Sequence, residues 1–123
     1  MKSAKRILII DDEPLTRLSL ADFLQEAGYK AEAVGDAEAA LARQHEDYFD
    51  VYIVDIRMPG LDGVETILAL QRLAPSSRFL IYTGSPQFTL PPTLEKLGLS
   101  ERYIVRKPVI DMNVFVTLIE QIT

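Results

Sequence analysis

The stretch "LIIDDEP", residues 8–14, runs an apolar β-branched segment straight into three consecutive acids and a proline. Apolar residues without alternation are the mark of a strand covered on both faces. Asp11, Asp12 and Glu13 then stand at its carboxyl end, where like charges repel unless something neutralises them. The same design recurs along the chain. "RILII" (6–10), "DVYIV" (50–54), "RFLIY" (78–82) and "RYIV" (102–105) are strand candidates, and "KAEAV" (30–34) is a weaker, alternating one that suits a sheet edge. Helical spacing fills the intervals, as in Leu20, Phe23, Leu24 and Ala27, and again in Phe115, Leu118, Ile119 and Ile122. Gly28 and Gly98 fit helix C-termini, and Asp36, Asp62 and Asp111 fit N-caps. The prolines of "TGSPQFTLPPTLEKLGLS" (83–100) delay the next helix to Pro91 or Pro92 and make it short. Alternating strands and helices predict an α/β fold, a doubly wound five-stranded parallel sheet with helices on both faces.

With 123 residues, 48% of them hydrophobic, the chain fits one domain over 1–123 that folds without staples. The absence of cysteine excludes disulfides and thiol chemistry. No apolar run approaches a membrane span, and acids interrupt the first run before a signal peptide's apolar region can form. The expectation is a cytoplasmic protein with no membrane contact. A net charge of −5 with scattered Lys and Arg gives no footprint for direct nucleic-acid binding.

In a doubly wound sheet, ligands bind beyond the carboxyl ends of the strands. Asp11 and Asp12, Asp55, Thr83 and Lys107 each follow or close a strand candidate, so all converge on one rim. Singly, each has an ordinary reading: a helix cap, a turn hydroxyl, a solvated lysine. Together the carboxylates of Asp11, Asp12 and Asp55 make a cluster of hard oxygen donors, with no His or Cys beside them, that suits Mg²⁺. His45, the one histidine, fits a surface position near the end of the second helix, and Tyr29, Tyr48, Phe49 and Phe79 fit core or half-buried anchors.

"LIIDDEP", "VYIVDIRMPGLDGVE", "YTGS" and "VRKP" resemble, in order and spacing, the receiver domain of two-component response regulators. The resemblance covers essentially the whole chain and implies the flavodoxin-like (βα)5 strand order 2-1-3-4-5. It implies that Asp55 is the phosphoacceptor, that Asp12 is a direct Mg²⁺ ligand, and that Asp11 acts on the metal through water. Asp55 and the backbone carbonyl of Arg57 would complete the protein's metal shell, and Thr83 and Lys107 would engage the phosphoryl oxygens. Gly84 leaves room for the phosphodonor, Arg57 and Ser85 occupy positions that modulate phosphoryl lifetime, and the bond before Pro108 is expected to be cis. "MPGLDG" (58–63) is expected to form a turn and then a helix start.

One departure concerns the switch. The family carries an aromatic residue three positions before the lysine, where this chain has Ile104, with Tyr103 one step earlier. Adjacent strand residues face opposite sides, so Tyr103 replaces that aromatic only through a bulge or register change. Coupling would otherwise run through the proline-rich loop after Thr83.

The implied function is a signalling switch, not a turnover enzyme, which catalyses only its own phosphorylation and dephosphorylation. Its partners would be a histidine kinase or phosphotransfer protein upstream and an output domain or protein downstream, with a monomer or phosphorylation-linked dimer as the assembly. No output domain is expected within these residues, so a stand-alone receiver and one cut from a longer regulator both fit. Two other readings are an interaction module independent of phosphorylation and a phosphohydrolase resembling the haloacid dehalogenases. The second wants an acid two residues beyond the nucleophile, where Arg57 stands.

Overall fold

The computed structural model describes residues 4–57 and 62–123. Strands β1 (Arg6–Ile10), β2 (Lys30–Val34), β3 (Val51–Val54), β4 (Arg78–Thr83) and β5 (Ile104–Arg106) alternate with helices α1 (Pro14–Glu26), α2 (Ala37–Glu46), α3 (Gly63–Leu73), α4 (Pro92–Glu95) and α5 (Asn113–Ile122). The strands form one parallel sheet, as the alternation predicts, in the order β2-β1-β3-β4-β5 that the resemblance implies. β1 lies between β2 and β3, and the half-polar "KAEAV" is indeed an edge.

Both faces of the sheet are covered, which explains the unbroken apolar runs. Ile7, Ile9, Val51 and Ile53 pack with Leu20 and Leu24 of α1 and Phe115 and Ile119 of α5. Leu8, Ile10, Tyr52 and Val54 point the other way, against Ala40 of α2, Ile67 and Leu70 of α3 and Leu94 of α4. A slip of one residue in β1 or β3 would exchange these two sets.

The helix ends follow their local chemistry. Asp36 and Asp62 cap α2 and α3, accepting from the amides of Ala39 at 2.7 Å and Glu65 at 2.9 Å. Gly28, at φ 101°, closes α1 with bonds from Gly28 N–H to Gln25 O and Tyr29 N–H to Leu24 O, and Gly98, at φ 91°, does the same after α4. α4 is four residues long with Pro91 at its N-cap, as the prolines predict.

Three expectations shift. The fifth strand is not 102–105 but 104–106, because Glu101–Tyr103 wind into a 3₁₀ turn, so Arg102 and Tyr103 precede the sheet. Asp111 is not the N-cap of α5; that place falls to Met112, while the Asp111 carboxylate accepts from Asn113 N–H at 2.9 Å in the turn before it. Tyr48 is exposed rather than anchored, since Phe49 takes the buried place beside it. The turn expected over 58–61 lies outside the described residues.

Candidate functional site

The strand ladders continue one residue past the carboxyl ends and thereby fix the site's backbone. Asp11 N–H donates to Val34 O at 3.1 Å, Asp55 N–H to Ile10 O at 2.9 Å, and Lys107 N–H to Thr83 O at 2.8 Å. Asp11 (1% exposed), Asp55 (5%) and Thr83 (0%) are therefore polar groups held inside the fold, where an unpaired group is costly. Asp12 is exposed.

Lys107 is the centre of the charge arrangement. Its ammonium donates to Asp11 Oδ2 at 2.8 Å and lies 3.6 Å from both Asp55 Oδ2 and Glu13 Oε1. The Tyr82 ring centroid is 4.9 Å away, a favourable cation–π distance. The other oxygen of Asp11 accepts from Glu13 N–H at 2.9 Å, and Asp55 Oδ1 accepts from Arg57 N–H at 3.0 Å. Thr83 Oγ1 accepts from Ser85 N–H at 3.0 Å. An open cleft lined by Asp12, Glu13, Asp55, Arg57, Gly84 and Lys107 leads from this cluster to solvent.

Burial pushes the Asp55 carboxyl above its ordinary value; the Arg57 amide and Lys107 pull against this, while Asp11 and Asp12 add to the rise. Burial also works against the Lys107 ammonium, but the Asp11 hydrogen bond and the charges of Asp55, Asp11 and Glu13 outweigh it and raise its pKa. Carboxylate oxygens of Asp11, Asp12 and Asp55 all lie within 4.8 Å of one another. One lysine leaves such a cluster negative. An oxygen-only donor set of this spacing fits a hard divalent cation, and Mg²⁺ in particular takes one or two carboxylates and keeps several waters.

Two features escape sequence reasoning. Gly63 donates its N–H to Ile56 O at 3.1 Å, and a Cβ there would collide with Asp55 O and lie 2.5 Å from Ile56 Cα. The backbone carrying Asp55 thus rests directly on the first turn of α3, for which "DG" (62–63) is the only sequence signal. Arg106, on the strand beside Thr83, reaches the backbone of the loop that follows Thr83. The Lys107–Pro108 bond is cis, as the resemblance implies.

The sequence pattern of the response regulator receiver domain matches residues 7–120. The chain belongs to this family. A two-component response regulator, PhoP of Pseudomonas aeruginosa, is 37% identical over 79 residues, covering 64% of this receiver and 35% of PhoP. The sensory/regulatory protein RpfC of Xanthomonas campestris is 31% identical over 117 residues, 92% of this receiver and 16% of RpfC. The receiver thus spans about a third of PhoP and about a sixth of RpfC. The response regulator TrrA of Thermotoga maritima, solved in complex with Mg²⁺ and BeF, superimposes with a TM-score of 0.81 at 27% identity over 97% of this chain and 99% of that one. Among the described residues of this receiver, no helix is long and apolar enough to cross a membrane.

Proposed function

We propose that this receiver is a phosphorylation-dependent signalling switch, in which Mg²⁺-assisted transfer from the phosphohistidine of a kinase or phosphotransfer protein modifies Asp55. The observation that carries the reading is the placement of Asp55. It is a buried carboxylate at a strand end, 3.6 Å from the Lys107 ammonium, sharing an oxygen cluster with Asp11 and Asp12 and opening onto a cleft.

In the transfer, a carboxylate oxygen of Asp55 attacks phosphorus and the P–N bond to the donor histidine breaks. The imidazole leaves and takes a proton, and the product is an acyl phosphate. The Arg57 amide holds one Asp55 oxygen and so orients the carboxylate, while Lys107 offers a point charge to the transferring oxygens. Asp11, Asp12, Asp55 and the backbone carbonyl of Arg57 would hold Mg²⁺, which supplies neutralisation of the acids and of the developing phosphoryl charge. The complex of TrrA with Mg²⁺ and BeF supports this reading.

Thr83 contributes a hydroxyl that accepts from Ser85 N–H in the free protein and can turn to donate its hydrogen to a phosphoryl oxygen. Gly84, exposed on the cleft, admits the donor, and Arg57 and Ser85 tune access to the acyl phosphate. Leu15, Leu18 and Ile110 stand exposed on the segments flanking the acids and the lysine. They offer the apolar contact a docked phosphodonor needs in the cytoplasm. Downstream, phosphorylation would alter the surface read by an output domain or protein.

Incubation with acetyl phosphate and Mg²⁺ should add one phosphoryl group by intact mass, and Asp55→Asn should abolish it. Unchanged labelling in that variant, or labelling that survives removal of divalent metal, contradicts the assignment.

A further inference from the structure

Thr83 ends β4, and its register partner across the sheet is Arg106 on β5. Paired residues send their side chains to the same face, so the buried hydroxyl and the guanidinium leave the sheet side by side. The Arg106 guanidinium is spent on backbone. Its Nη1 donates to Ser85 O at 2.9 Å and its Nη2 to Phe88 O at 3.0 Å, with Glu101 more distant at 3.4 Å. These two carbonyls belong to a turn whose own closure, Phe88 N–H to Ser85 O, is at the long limit of 3.5 Å. The charge-assisted bonds from Arg106 are therefore the stronger clasp on this turn.

Ser85 connects the clasp to the site. Its N–H donates to Thr83 Oγ1 and its C=O accepts from Arg106, so a single residue carries both contacts. Residues 84–91 contain no helix or strand, and Phe88 and Leu90 are their half-buried apolar anchors. Little else among the described residues ties the loop down, which places it at the low end of local stability.

We propose that Arg106 is a positioning residue that couples the Thr83 hydroxyl to the 84–91 loop by clasping Ser85 and Phe88. The coupling rests on the phosphorylation reading above. When Thr83 turns to donate to a phosphoryl oxygen on Asp55, its bond from Ser85 N–H is lost, the clasped turn loosens, and the change reaches the edge strand β5 through the guanidinium. The bistable element is the turn, held or released.

Hydrogen exchange over 84–91 tests this, measured on the free protein and on protein loaded with Mg²⁺ and beryllium fluoride. The parent should exchange faster in this segment once loaded. Arg106→Gln should exchange at least about tenfold faster already in the free state, since both charge-assisted bonds are lost, and should show no further response to loading. Arg106→Lys, with one ammonium for two carbonyls, should fall between, and Glu101→Gln should behave like the parent. All three variants should remain labelled at Asp55 by acetyl phosphate. Parent-like protection in free Arg106→Gln, or a loading response preserved in it, overturns the proposal. A parent that is not labelled at Asp55 overturns the phosphorylation reading and the coupling with it, while the free-state comparison still decides whether Arg106 holds the loop.

Discussion

Asp11→Asn and Asp12→Asn remove the same charge from adjacent positions and should move stability in opposite directions. Charge counting alone predicts that either change relieves the acid cluster. The geometry separates them. Asp11 accepts from Lys107 at 2.8 Å, with side chains 2% and 15% exposed. At an effective dielectric of 20, that contact corresponds to about 6 kcal/mol of attraction. Removing the charge also relieves repulsion from Asp55, at least about 3.5 kcal/mol because the oxygens lie within 4.8 Å of one another, and a smaller, water-screened repulsion from exposed Asp12. The asparagine oxygen still accepts from Glu13 N–H, and Lys107 keeps Asp55 and Glu13 at 3.6 Å. The balance is a loss of about 1 kcal/mol for Asp11→Asn, whereas exposed Asp12, with no ion pair among the described residues, leaves a small gain. Urea unfolding in EDTA at neutral pH should show the Asp11 midpoint lowered by about 0.5 M, for a slope of about 2 kcal/mol per molar. A cycle with Lys107→Met isolates the pair. An Asp11→Asn midpoint at or above the parent's would refute the claim that the Lys107 contact outweighs acid repulsion.

Millimolar Mg²⁺ should raise the parent's melting temperature by linkage, by about 1.4 kcal/mol at ten times the dissociation constant, and Asp12→Asn should lose most of that response in paired thermal melts. Asp55→Asn should stabilise the metal-free protein at neutral pH, because burial holds the native carboxyl above its unfolded value and makes its ionised form unfavourable. That gain should be full above the raised native pKa and vanish below about pH 4, where both states are protonated; a gain independent of pH in chemical denaturation would contradict it. Gly63→Ala should cost about 2 kcal/mol, since the new Cβ meets backbone at Asp55 and Ile56 that cannot swing aside, and should slow acetyl phosphate labelling as Asp55 shifts; parent-like values for both would show that α3 retreats freely.

The sheet was legible because its central strands are covered on both faces. Val51, Tyr52, Ile53 and Val54 leave no polar position to confuse the reading, and the rule for ligands at strand ends brings Asp11, Asp55, Thr83 and Lys107 to one rim. "RYIV" misled for the converse reason: apolar content cannot distinguish a strand from the 3₁₀ turn at Glu101–Tyr103 that precedes it. Asp111 shows the same limit, since a carboxylate two residues before a helix serves the preceding turn as readily as the cap. What could not be read were contacts defined only by assembled geometry. Arg106 finds its carbonyls 21 and 18 residues away, and Gly63 is required by the backbone of Asp55 and Ile56 rather than by its own turn.

Asp11 and Lys107 are separated by 96 residues, a distance that bears on how the chain assembles. A ribosome delivers β1, β2 and β3 before β5, and any pairing of β1 with β3 at that stage brings Asp11, Asp12 and Asp55 together. The ammonium that offsets them arrives only after β5. A β1–β3 pairing made before β5 docks therefore meets a larger electrostatic penalty than the finished sheet carries. Docking of β5 supplies the missing charge along with its apolar contacts, so the fifth strand both completes the sheet and reduces the penalty on the first pairing.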